Sequence, residues 1–259
     1  MSYKYQVFSI KYQVFSIEIL ESIMMKTLFK ILGKTILIFI AASVLWVVLL
    51  RFCPVFFTPV MLKNSFQQLF NGESMKIEHK WVSIDKISPQ MTIAVVASED
   101  NLFMKHKGIS FSALEKVRQE RKAGKRFRGG STISQQTAKN VFTFGTRTWV
   151  RKGFETYFTI LIEFFWSKER IMEVYLNSIE YGKGVFGVEA SSQKFFKISA
   201  KKLSRNQAAL LAAVLPNPKR YNAQKPGAYL IKRQAQIVNL MPKMGKIEFL
   251  QPKLDTKHK

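Results

Sequence analysis

The chain has 259 residues, 47% of them hydrophobic, with twenty-two Phe against eight Pro. That suits one ordinary domain plus a short extra element and excludes a disordered chain. Forty-one Lys and Arg against seventeen Asp and Glu leave a formal charge of +24, which favours an anionic partner (nucleic acid, phospholipid headgroups, or a phosphorylated or carboxylated substrate) without choosing among them. Cys53 is the single cysteine, so no disulfide forms within the chain. The bulky, charged Leu50-Arg51-Phe52 before it does not fit a lipoprotein cleavage site.

In chain order, the first feature is an identical tandem repeat, KYQVFSI at Lys4–Ile10 and again at Lys11–Ile17. Two copies are too few for a repeat architecture, and the repeat reads as a local duplication or an upstream start, with no function assigned. Next, Thr35 to Leu50 runs TILIFIAASVLWVVLL without a charge, and Ile31, Leu32 and Gly33 extend it. From Ile31 to Leu50 the stretch is about long enough to cross a ~30 Å hydrocarbon layer. Lys34 and Arg51 can snorkel to the two interfaces. A buried core helix would show a polar stripe, and a cleaved signal would show a small-x-small site. Neither is present, so the segment reads as an uncleaved anchor. Lys26, Lys30 and Lys34 precede it and put the N-terminus in the cytoplasm. Phe52 to Phe70 stays apolar but holds Pro54 and Pro59, which argue against one continuous helix. It either rests on a bilayer surface or packs into the core.

From there the pattern is mainly helical. Ser88-Pro89 starts a helix running to about Ser98. Ser131-Thr132, with Gln135 as the third residue of a capping box, starts a second. Lys168 to Asn177 forms a third, with Ile171, Val174 and Tyr175 on one face. Ser204, with Gln207, starts a fourth that stops before Pro216. Alternating strand patterns are scarce. A compact, mainly α domain is expected from about residue 65 to 245, followed by a loose polar tail.

Three clusters could carry chemistry. Glu99-Asp100 closes an apolar helix, where desolvation would make a carboxylate a useful base. The same pair reads equally as surface acids, although a helix C-terminus disfavours them. Gly129-Gly130-Ser131-Thr132-Ile133-Ser134-Gln135-Gln136 offers a tight turn and free N–H groups for an anion, or simply a helix start. It lacks the nucleotide P-loop pattern. Arg147 and Arg151-Lys152-Gly153-Phe154-Glu155, with Lys139 nearby, would suit a pyrophosphate, or a solvated helix face with one intrahelical ion pair.

Taken in order, these clusters resemble one family. Glu99-Asp100-Asn101-Leu102-Phe103 with His106 and Gly108, GGSTISQQTAKN (Gly129–Asn140), RKGFE (Arg151–Glu155), KERIMEVYLN (Lys168–Asn177), EYGKGVFGVEASSQKFF (Glu180–Phe196) and AALLAAVLPNP (Ala208–Pro218) are similar to the motifs of monofunctional peptidoglycan glycosyltransferases. These are relatives of the glycosyltransferase domain of bifunctional penicillin-binding proteins. The resemblance covers about residues 75 to 240. It implies a lysozyme-like, mainly α single catalytic domain preceded by one transmembrane helix. The implied organisation is a cytoplasmic segment over 1–30, an anchor over 31–53, a membrane-proximal segment over 54–74, the glycosyltransferase domain over 75–245 and a polar tail over 246–259.

The implied activity is glycan polymerisation from lipid II, an undecaprenyl-pyrophosphoryl disaccharide-pentapeptide, forming β-1,4 links with inversion. Glu99 would be the base and Glu155 the second catalytic glutamate, near the pyrophosphate. Lys139, Arg147 and Lys152 would stabilise the leaving charge. Ser131, Thr132, Gln135 and Gln136, with Asp100 and His106, would complete substrate binding. No metal ligand set and no required cofactor is implied, although Mg²⁺ could assist at the pyrophosphate, with either Glu155 helping to hold it or the Lys and Arg cluster replacing it. The implied partners are lipid II, the growing glycan chain, the inner membrane and other cell-wall synthesis and division proteins. Nucleic acid is not among them, since no recognisable module accompanies the charge. SIDK at Ser83 and SAKK at Ser199 are not followed by K-T-G, so no transpeptidase is read. A lytic enzyme of the same fold class and a non-catalytic basic membrane-binding module are the competing readings.

Overall fold

The computed structural model describes residues 2–110, 115, 118–119, 130–145 and 148–250. The chain divides into two compact units, Met1–Leu49 and Leu50–Lys259.

The first unit is one helix, α1, spanning Ser2–Leu50. It starts well before the expected anchor and carries the tandem repeat as continuous helix. No proline interrupts residues 2–50, so nothing in the backbone ends the helix between repeat and anchor. Within it, Ile23–Leu50 is long and apolar enough to cross a membrane. Thr27 and Thr35 donate their hydroxyl protons to the carbonyls of Ile23 (2.8 Å) and Ile31 (2.9 Å). That back-bonding satisfies the only two hydroxyls between Ile23 and Ala42 inside the helix itself, as an apolar solvent demands.

The second unit begins with an irregular stretch and then α2, Pro59–Phe70. Pro59 starts this helix rather than breaking one: it stands at the first helical position, and the Thr58 hydroxyl accepts from the Met61 N–H at 3.2 Å. The helix is inverted relative to an ordinary amphipathic one. Met61, Asn64, Ser65 and Gln68 are buried, while Leu62, Phe66, Leu69 and Phe70 are exposed, Phe70 at 87%. Val55 and Met61 of this segment are buried in the core, while its larger apolar side chains stay exposed.

The remaining helices are α3 (Pro89–Glu99), α4 (Ile133–Phe142), α5 (Trp149–Phe165), α6 (Lys168–Ser178), α7 (Val188–Phe196), α8 (Arg205–Val214) and α9 (Ala228–Leu240). A small sheet joins β1 (Glu78–His79), β2 (Glu180–Gly182) and β3 (Val185–Phe186). Its order is β1-β3-β2, parallel between β1 and β3 and antiparallel between β3 and β2.

Two packed groups form the core. In one, α8 lies between α3 and α9. Every residue from Ala208 to Val214 is buried, because a run of alanines lets neighbours approach α8 from all sides. In the other, α4 packs on α5 and α6, and Ile133, Ile162, Ile171, Met172 and Tyr175 are fully buried. Capping boxes begin α4 and α8 where expected. At Ser88 the expectation is half right. Pro89 opens the helix, but the Ser88 hydroxyl donates to the Leu203 carbonyl at 2.8 Å instead of capping α3. The helices α5, α7 and α9 were not anticipated. In α5 the outward face again carries apolar groups, Trp149 (93% exposed), Val150, Ile160 and Phe164, while Glu155 is buried. Of the tail expected to be loose, residues 248–250 form a 3₁₀ turn and Ile247 is buried, and 251–259 lie outside the described residues.

The β2–β3 turn shows how tightly this region is drawn. Gly184 has φ +73°, and a Cβ built there would sit 2.3 Å from the Lys76 carbonyl oxygen. Gly184→Ala should destabilise the domain by ~1–2 kcal/mol from the left-handed backbone alone, and by more from the clash. A urea unfolding midpoint equal to wild type would contradict this.

Candidate functional site

The site is assembled at the meeting of α3, α4 and α6. Glu99 is the last residue of α3, and Asp100 turns out of the helix with φ −157°. The Asp100 carboxylate accepts the Ile133 N–H at the start of α4 (3.0 Å), and His106 Nε2 donates to it at 2.9 and 3.0 Å. His106 Nδ1 accepts from the Gly108 N–H at 3.1 Å. That contact fixes the ring proton on Nε2. Thr132 closes the loop by donating its hydroxyl proton to the Gly108 carbonyl at 2.5 Å. In the capping box, Thr132 Oγ accepts from the Gln135 N–H (3.2 Å) and Gln135 Oε1 accepts from the Thr132 N–H (3.1 Å).

These bonds tie Asp100, His106, Thr132 and Gln135 to one another and to the backbone around them. Asp100, Thr132 and Gln135 are buried. Their visible work is to rivet the loop after Glu99 onto the α4 N-terminus, because the orphan N–H groups of a helix start demand acceptors. Lys168 adds to this anchorage from α6. Its amine donates to the His106 carbonyl (2.7 Å) and to Glu163 (2.8 Å), and it lies 4.6 Å above the Phe103 ring. Glu163 also accepts from Ser134. Neither Lys168 nor Glu163 was singled out from the sequence, since their contacts to His106 and Ser134 span 62 and 29 positions.

Glu99 remains available. One oxygen accepts from Gln136 Nε2 at 3.0 Å, and Gln136 Oε1 accepts from the Tyr175 hydroxyl at 3.1 Å. Burial raises the Glu99 proton affinity above its ordinary value of 4.5; the Gln136 hydrogen bond and the Arg233 charge oppose that rise, and Asp100 adds to it. The Ser131 carbonyl is 3.5 Å from the same Gln136 nitrogen.

Gln136 and Tyr175 open onto a cleft of about 450 Å³, also lined by Lys63, Lys139, Glu180 and Lys219. Three cations and one carboxylate therefore share it. Glu180 accepts from the Gly184 N–H (3.0 Å) and from Asn64 (3.1 Å), and burial raises its proton affinity. Lys219 donates to Asn64 at 3.2 Å.

The second glutamate lies on α5. Glu155 is buried and forms ion pairs with Arg151 and Lys152, one to each oxygen. The intrahelical pairing foreseen for a plain basic face is present, but the acid is inside, not on the surface. Lys139, one turn beyond Gln136 on α4, feels this cluster. Desolvation lowers its proton affinity from 10.5, Glu155 restores part of it, and Arg151, Lys63 and Lys152 lower it further. The structure thus brings Glu99, Gln136, Lys139, Lys152 and Glu155 to one region, with Ser131 beside Gln136. Arg147 and Gly129 lie outside the described residues. Tyr175 and Arg233 are the members that the motifs did not single out. Tyr175 was legible only as one of three residues on a helix face.

Among the described residues, no group of three or more His, Cys, Asp or Glu is placed to hold a metal ion. Glu155, the residue expected to help hold one, has both oxygens engaged by cations. This donor set does not fit a protein-held divalent ion.

Residues 65–242 match the family model described as Transglycosylase. The chain is 54% identical over 226 residues to a biosynthetic peptidoglycan transglycosylase of Bacteroides thetaiotaomicron, covering 86% of this chain and 91% of that one. It is 48% identical over 238 residues to one of Bdellovibrio bacteriovorus (89% and 95% covered), and 48% identical over 201 residues to one of Caulobacter vibrioides (78% and 85%).

Proposed function

This chain belongs to the transglycosylase family and is a peptidoglycan glycosyltransferase, and on that premise we propose that it polymerises glycan from lipid II with Glu99 as general base. Glu99 takes the proton from the 4-hydroxyl of the acceptor sugar. That oxygen bonds to the anomeric carbon of the growing chain as the bond to the lipid pyrophosphate breaks. The centre inverts to a β-1,4 link, and undecaprenyl diphosphate departs. Lys139, Arg151 and Lys152, with Arg147, balance the charge that develops on it. Such a leaving group needs charge compensation more than a proton. The single observation that carries the reading is a partly desolvated carboxylate with one fixed donor beside a cation-lined cleft.

No metal takes part in this account. Glu155 serves as the acid that holds Arg151 and Lys152 in place, and these cations act where a divalent ion would. The enzyme sits in the inner membrane with its N-terminus cytoplasmic and the catalytic unit periplasmic. The outward apolar faces of α2 and α5 support a domain that works at the lipid surface, where a polyprenyl substrate resides.

A lytic enzyme needs neither the cation cluster nor the apolar faces. Incubation with lipid II should give glycan polymer at equal rates with and without chelator. Cleavage of finished sacculi with no polymer would overturn the polymerase reading, and chelator-sensitive synthesis would overturn the metal-free one.

A further inference from the structure

Gln136 donates a hydrogen bond to the Glu99 carboxylate at 3.0 Å. A glutamine amide has two faces. One presents N–H groups and stabilises a carboxylate, while the other presents a carbonyl and repels it. Something must therefore decide which face Glu99 meets. The Tyr175 hydroxyl does so. It donates to Gln136 Oε1 at 3.1 Å. Tyr175 itself is fully buried on α6, and burial pushes its proton affinity well up, so it holds its proton as a donor.

We propose that Tyr175 is a positioning residue for the general base: its buried hydroxyl locks the Gln136 amide in the orientation that presents N–H, not carbonyl, to Glu99. The proposal rests on Glu99 being the base. Two consecutive hydrogen bonds follow, from Tyr175 O–H to Gln136 Oε1 and from Gln136 Nε2 to Glu99. They couple α6 to the end of α3 through α4. Losing the lock lets the amide turn, and the ionised form of Glu99 loses its donor. The other charges facing Glu99 are Arg233 from α9 and Asp100 from its own loop, and Tyr181 faces Tyr175. None of these changes when Tyr175 becomes Phe.

The sign follows directly. A base works ionised, so polymerisation rises as pH rises through the Glu99 titration. Removing a donor from the ionised form raises that titration. Tyr175→Phe should therefore move the acidic limb of the rate profile upward by about one pH unit. At pH values below the Glu99 titration the rate falls by up to about ten-fold, and it converges on wild type at higher pH. Gln136→Leu should give the same displacement, because it deletes the group through which Tyr175 acts. The double variant should move no further than Gln136→Leu alone.

The experiment is lipid II polymerisation by the full chain across pH, for wild type, the two single variants, the double variant and Glu99→Gln, with thermal melting as the folding check. A displaced limb in both single variants that does not add in the double variant supports the lock. A Tyr175→Phe profile with the wild-type limb, even if its melting temperature drops, overturns it, as does a further displacement in the double variant. Should Tyr175→Phe not fold, an unshifted limb in Gln136→Leu overturns the proposal by itself. A Glu99→Gln enzyme that still polymerises would instead remove the base reading, an outcome readable apart from the other four proteins.

Discussion

Glu99→Gln should cut polymerisation by about 10²–10⁴-fold, the usual contribution of a positioned general base, while leaving the fold intact. The same substitution should stabilise the protein at neutral pH. Burial raises the proton affinity of Glu99 above 4.5, so the folded state binds that proton more tightly than the unfolded one. Stability tied to Glu99 is therefore fully present below about pH 4.5 and lost as pH rises through the folded-state value. A neutral glutamine does not lose it. Melting curves should show the variant above wild type at pH 7, with the gap closing toward pH 4. A variant that melts lower at pH 7 would contradict the buried-base picture, and an active one would remove Glu99 from the mechanism. The opposed effects on rate and stability are what a site held partly out of water for chemistry predicts.

Glu155→Ala should be the most destabilising change among the site residues. The Glu155 side chain is 3% exposed, against 18% for Arg151 and 39% for Lys152. Removing the acid leaves two cations facing each other beside Lys139. Breaking a buried ion pair costs about 3–5 kcal/mol, and the solvent reached by Lys152 places this case near the lower figure. Activity should fall as well, because Arg151 and Lys152 lose their common anchor. Lys139 also loses the one neighbour that restores its charge. Its proton affinity, already below 10.5 through burial, drops further, so the alkaline limb of the rate profile should move to lower pH. Urea unfolding and a pH–rate series measure the two effects. Unfolding within about 0.5 kcal/mol of wild type would show that the pairs contribute as little as surface ones do.

Much of this was legible in one dimension. The apolar run gave the helix long and apolar enough to cross a membrane, since that is a matter of length and composition. The Thr132–Gln135 and Ser204–Gln207 capping boxes were readable because both partners lie within one turn. The start of α6 and the buried face of Ile171, Val174 and Tyr175 followed from period. The α2 and α5 helices were harder. Periodicity assumes that apolar residues point inward, and here Leu62, Phe66, Trp149 and Phe164 point outward while Asn64, Gln68 and Glu155 point in. Pro54 and Pro59 rightly argued against one continuous helix over Phe52 to Phe70, but only the Thr58 cap shows that Pro59 opens a shorter one.

For the site, sequence alone supplied Glu99, Lys139, Lys152 and Glu155 as a set, because the family motifs carry them in order. It also determined the fold class and the enzyme family. Only the tertiary structure decided how the polar motif residues divide their work. Thr132, Gln135, Asp100 and His106 close on one another, while Gln136 alone turns to Glu99 under the Tyr175 hydroxyl. That division depends on hydrogen bonds spanning 24 to 39 positions along the chain. A bond of that kind is set by how α3, α4 and α6 pack, and packing leaves no local trace in the residues it brings together.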